Sequence, residues 1–153
     1  VFLVVIMVSC ASGGDQDDNT PIDGESGYKV SEAVYERTFS EVGEVIQSLN
    51  KIISEEDYEQ WVEYLTPEYI ASITDEENLE ALNNSTLLKR NSIVLEDLED
   101  YFQYVVVPSR TGLRLDDLVF IDDNTVQAIM IIRDQRAILY LLRRVRGRWR
   151  ISV

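Results

Sequence analysis

Residues 125–153 read TVQAIMIIRDQRAILYLLRRVRGRWRISV, and this stretch decides the fold. Residues 125–132 are strand-like and apolar on both faces, which predicts a central strand. Arg133-Asp134-Gln135-Arg136 makes a hairpin connection, and residues 137–145 form the returning strand. Arg146-Gly147 supplies a tight turn, because Gly tolerates positive φ. Residues 148–153 close the chain, with Trp149, Ile151 and Val153 on one face and Arg148, Arg150 and Ser152 on the other. Just upstream, residues 115–121 are a candidate strand, followed by an Asp122-Asp123-Asn124 turn. The result is an antiparallel meander.

Everything between residue 31 and residue 108 has helical spacing instead. Ser31 can cap a long helix with apolar positions at Val34, Thr38/Phe39, Val42, Val45/Ile46, Leu49 and Ile52/Ile53. Ser54 offers a second N-cap, ahead of the acidic Glu55-Glu56-Asp57 and an apolar face of Tyr58, Trp61, Val62 and Leu65. Thr66-Pro67 reads as a cap with proline at the first helical position. Thr74-Asp75-Glu76-Glu77 matches a capping box. Asn83-Asn84-Ser85 is a break, and residues 92–106 resume helical spacing until Pro108. Helices followed by an antiparallel meander give an α+β class.

The order of elements resembles the NTF2-like superfamily. The resemblance rests on the acidic-aromatic stretch from Ser54 to Tyr69, its Leu65-Thr66-Pro67 corner, and the closing Gly147-Arg148-Trp149-Arg150-Ile151. It covers most of residues 31–153 and implies N-terminal helices packed on a curved antiparallel sheet, a cone whose cavity Tyr58, Trp61 and Trp149 would line. It also implies that the sheet can serve for homodimerisation. The superfamily hosts enzymes, ligand binders and scaffolds, so the fold leaves function open.

The other end of the chain carries a second resemblance. Residues 1–8 are apolar, Ser9 is small, Cys10 is the sole cysteine, and a Gly/Ser/Asp-rich stretch follows. Met7-Val8-Ser9-Cys10 resembles the lipobox of bacterial lipoproteins, with lipid-anchored NTF2-like proteins of bacteria, spirochaetes included, as expected kin. The resemblance implies cleavage between Ser9 and Cys10, acylation of Cys10, and a place in the bacterial cell envelope. No basic residue precedes the apolar run, so the true start is expected upstream of Val1 or at a non-ATG codon. The expected organisation is a signal peptide over 1–9, the lipidated cysteine and a flexible tether over 10–29, and one domain over 30–153.

Charge and composition narrow the chemistry. The formal net charge is −14, which excludes nucleic acid as a partner. There is no histidine, P-loop, dinucleotide glycine pattern or zinc-ligand spacing, so neither a cofactor nor a metal is expected. An enzyme here would depend on an Asp with Tyr or Arg, for example Arg114 with Asp116 or Asp117. From residue 133 onward there are seven arginines against one acid, Asp134. Two readings of them stand. They balance the acidic helices internally, or Arg144, Arg146, Arg148 and Arg150 form a docking patch for an anionic partner. The leading function is a non-catalytic binding module that holds a small apolar ligand or an envelope protein, with the membrane engaged through acyl chains on Cys10. The alternative is a cavity enzyme of isomerase or hydrolase type.

Overall fold

The structure is a computed structural model and describes residues 28–153. Ser9, Cys10 and the expected tether up to residue 27 lie outside the described residues, whereas Tyr28, at the tether's expected end, donates its hydroxyl to Asp123. Helix α1 (Glu32–Ser54) follows its sequence pattern closely. The Ser31 hydroxyl accepts from the Val34 N–H, and Thr38, Val42, Ile46, Leu49, Ile52 and Ile53 are buried along one stripe.

Short helices follow: α2 (Tyr58–Glu63), α3 (Pro67–Thr74), α4 (Glu76–Asn83) and α5 (Thr86–Asn91). Their caps correct three expectations. Ser54 belongs to α1, and its hydroxyl donates back to the Lys51 carbonyl. A left-handed Glu56 then lets Asp57 N–H reach the Ile52 carbonyl and Glu56 N–H the Ile53 carbonyl, a Schellman ending. Asp57 therefore caps α2, accepting from Gln60 N–H at 3.0 Å. Asp75, not Thr74, caps α4, because the Thr74 hydroxyl donates to the Ile70 carbonyl.

The third correction concerns residues 92–97, which are not helical. Asn83 grips Leu95 from both sides, accepting from its N–H at 2.7 Å and donating to its carbonyl at 2.9 Å. Those main-chain groups are then unavailable to a helix, and Leu95 is buried as an anchor. Asp97 instead caps α6 (Leu98–Tyr101), which continues through a π-helical segment, Phe102–Val106, into α7 (Val107–Ser109). Pro108 has no N–H to give the turn before it, and the wider winding lies in that turn.

The sheet is a meander ordered β1 (Asp117–Asp122), β2 (Thr125–Ile132), β3 (Gln135–Val145) and β4 (Arg148–Ser152), all neighbours antiparallel. The α+β expectation and the interior position of β2 hold. The β2–β3 connection is tighter than expected. Arg133 and Asp134, both at positive φ, make the turn, while Gln135 and Arg136 already belong to β3. One sheet face, including Leu118, Phe120, Val126, Ala128, Leu142 and Ile151, is buried in the core that also takes in the α1 stripe.

The far edge of β4 meets the corner between α2 and α3. Thr66 N–H donates to the Ile151 carbonyl at 2.9 Å, and Ile151 N–H donates to the Tyr64 carbonyl at 2.7 Å. Thr66 is fully buried, and its hydroxyl caps α3 by accepting from Tyr69 N–H. One residue thus joins the helical layer to the last strand.

Candidate functional site

Arg146 and Gly147 form the turn between β3 and β4, with φ of 50° and 76°. That pair of left-handed residues matches the twist of the flanking strands. It carries the expected arginine patch to one end of the sheet, where the four residues have different surroundings. Arg144 donates to the Glu41 carboxylate on α1 and lies over the Trp149 ring, 4.6 Å from its centroid. The Trp149 indole N–H donates to the same Glu41 oxygen at 2.9 Å. Arg150 reaches the Leu65 carbonyl at 3.4 Å. Neighbouring Arg143 pairs with Glu68 at 2.9 Å, and Arg136 pairs with Asp117 at 2.7 Å. Arg146 and Arg148 are exposed and make no ion pair or hydrogen bond among the described residues.

A cleft of about 490 Å³ lies between this hairpin, α1 and the end of α2. Arg148, Trp149 and Arg150 line one wall, and Glu41, Glu44 and Glu63 line the other. Glu41 is engaged by Arg144 and Trp149, whereas Glu44 and Glu63 are exposed and have no ion-pair partner among the described residues. The cleft therefore offers uncompensated charges of both signs beside an aromatic ring.

The other two aromatic residues expected on a cavity wall sit elsewhere. Trp61 is only 1% exposed and packs 4.9 Å from the Phe102 ring and 6.5 Å from Tyr101. Tyr58 completes this ring cluster, 5.8 Å from Phe102.

Two polar groupings emerge only in three dimensions. The Tyr35 hydroxyl donates to one Asp117 oxygen at 2.6 Å, while Arg136 holds the other. Leu118 N–H also donates to Asp117. Burial, reinforced by Asp117, pushes the Tyr35 phenol up to about 12. Both oxygens of this carboxylate are thus taken up in a clasp between α1, β1 and β3. The Arg114–Asp116 pair forms as well, at 2.5 Å, on the surface. It holds the Asp116 carboxyl below its ordinary range.

The second grouping is internal. The Tyr69 and Tyr101 hydroxyls are 3.5 Å apart, and Arg110 lies 5.4 Å from the Tyr140 ring centroid. The Tyr140 hydroxyl is buried with no hydrogen-bond partner among the described residues, and burial pushes its phenol up to about 12. Burial also raises Tyr69 and Tyr101. In the sequence Tyr69 and Tyr101 are helix aromatics that could line a cavity or simply fill the core, and nothing there signals their meeting with Tyr140 and Arg110.

Among known proteins, this chain is 31% identical over 123 residues to an uncharacterised lipoprotein of Treponema pallidum (strain Nichols). The match covers 80% of this chain and 65% of that protein's length. The chain is a distant homologue of a lipoprotein. No family model matches it, and no solved structure matches it. No described helix is long and apolar enough to cross a membrane. No group of three His, Cys, Asp or Glu among the described residues is placed to hold a metal ion.

Proposed function

We propose that this chain is a bacterial envelope lipoprotein, cleaved between Ser9 and Cys10 and held by acyl chains on Cys10. Residues 10–29 form its tether, and residues 30–153 form a non-catalytic module that docks a partner at the hairpin cleft. The lipoprotein homologue supports the anchor. A cysteine directly after an apolar run and a small residue supports its position. Two or more acyl chains give stable attachment at about 0.8 kcal/mol per buried methylene, so no other membrane-binding surface is required.

One observation carries the docking reading. Among the described residues, Arg146 and Arg148 are left without acid partners in a protein of net charge −14, beside a cleft whose Glu44 and Glu63 have no ion-pair partner either. Internal balance accounts for Arg136, Arg143 and Arg144, but not for these two, nor for Arg133 in the β2–β3 turn or Arg150, which reaches only the Leu65 carbonyl. The charged walls favour a protein segment over a small apolar ligand. A photo-crosslinking residue at Ser48, on the cleft wall, tests this in the cell of origin. Docking predicts a discrete adduct that Arg146→Glu with Arg148→Glu abolishes. No adduct, or one indifferent to the charge reversal, contradicts it.

The NTF2-like reading of the domain draws support from the helix-before-meander order and from the Thr66-Pro67 corner meeting β4. Self-association through the sheet is a compatible role, favoured by the exposure of Ile131 (42%) and Ile138 (54%). Light scattering of the mature chain then gives a dimer mass, and a monomer at all concentrations removes that role. The enzymatic alternative would use Asp116 or Asp117, and the first is held by Arg114 and the Ile131 N–H, the second by Tyr35 and Arg136.

A further inference from the structure

We propose that the open edge of β4 at Trp149 accepts an extended segment of the docked partner as an added strand. The segment presents basic side chains to the helices and acidic ones to the outer sheet face. This rests on the docking reading and names the form of its partner.

The edge follows from alternation along β4. Residues facing each other across an antiparallel pair alternate between those that exchange hydrogen bonds and those that do not. Ile151 spends its N–H and carbonyl on Tyr64 and Thr66, away from β3. Trp149, two residues earlier and opposite Arg144, turns its peptide groups the same way. No residue outside the sheet pairs with those groups among the described residues. The chain at Tyr64–Thr66 pairs with β4 only around Ile151, as an isolated parallel bridge, and Glu63 already belongs to α2. Trp149 is only 6% exposed yet lines the cleft, so an N–H and a carbonyl without a partner among the described residues lie at the cleft wall, one step beyond a place where the protein already adds a strand-like segment to itself.

Strand addition of this kind takes affinity from main-chain hydrogen bonds and specificity from alternate side chains. The alternation here is legible. Trp149 and Ile151 face the helices, where Glu44 and Glu63 lack partners; Arg148 lies on the opposite face, also without one. An incoming strand that places Lys or Arg on the helix side and Asp or Glu on the outer side matches both. Strand edges otherwise invite indiscriminate pairing, and the charges on either side restrict which strand fits.

The test uses the mature chain, residues 10–153, with Cys10→Ser, and two synthetic peptides of equal composition. One alternates Lys and Asp; the other carries the same residues in two blocks. Amide exchange at Trp149 and the dissociation constant are read by NMR. The alternating peptide is expected to slow Trp149 exchange and to bind at least fivefold tighter than the blocked one. Glu44→Lys with Glu63→Lys, both exposed, is expected to erase that preference. Unchanged Trp149 exchange with either peptide overturns strand addition, as does equal binding of the two. Crosslinking at Ser48 in cells together with unchanged Trp149 exchange overturns the added strand while leaving the docking surface in place. Loss of both removes the docking reading as well.

Discussion

The Glu41 carboxylate takes one hydrogen bond from Trp149 and another from Arg144, and so ties the middle of α1 to the β3–β4 hairpin. Trp149→Phe keeps most of the buried ring but removes the indole donor, and should cost about 1 kcal/mol in urea unfolding. Glu41→Ala should cost more, roughly 1–3 kcal/mol, because Arg144 then loses its partner while half-buried. An equal cost for the two changes would show that the clasp adds nothing beyond the indole bond. Tyr140 presents the opposite case, a buried hydroxyl without a partner among the described residues. Tyr140→Phe should be neutral or stabilising by up to about 1 kcal/mol, and a clear loss of stability would contradict that account. Trp149 was legible from the alternation of the last strand. Glu41 was not, since nothing along α1 distinguishes it from Glu36 or Glu44 until the hairpin is laid against the helix.

At the scale of elements, local chemistry was read well where it competes with nothing distant. The apolar stripe of α1, the Thr66-Pro67 cap and the Arg146-Gly147 turn all appear as their residue types demand. The misreadings share a cause. Ser54 and Thr74 are good caps in isolation, but each hydroxyl is spent on a carbonyl of its own helix, and an aspartate next in line takes the cap. Residues 92–97 have helical spacing, yet Asn83, from an earlier helix, takes over the Leu95 main chain. Thr66 joins two elements, so Thr66→Ala should cost about 1–2 kcal/mol in chemical denaturation. Gly147→Val should also destabilise, by about 1–2 kcal/mol, because its φ of 76° is left-handed. Thermal midpoints unchanged from the parent would count against both joints.

For the whole molecule, the buried phenols set an alkaline limit. Tyr35 and Tyr140 are raised from 10.0 to about 12 in the fold. A group raised on folding contributes fully below its unfolded value and loses that contribution as pH rises through its folded one. Stability should therefore decline between about pH 10 and 12, with late tyrosinate absorbance appearing together with loss of helical circular dichroism. Complete tyrosinate formation near pH 10 in an intact fold would contradict this. The sequence carried the α+β class of the domain, but not the cleft, which exists only once α1, α2 and the hairpin converge. The anchor at Cys10 is the central claim of the proposed function, and it stands apart from the docking reading. Metabolic labelling with a palmitate analogue tests it most directly, by comparing the native chain with Cys10→Ser in the same cells. The account predicts a labelled band for the native chain that the substitution abolishes; equal labelling of both, or of neither, would contradict it.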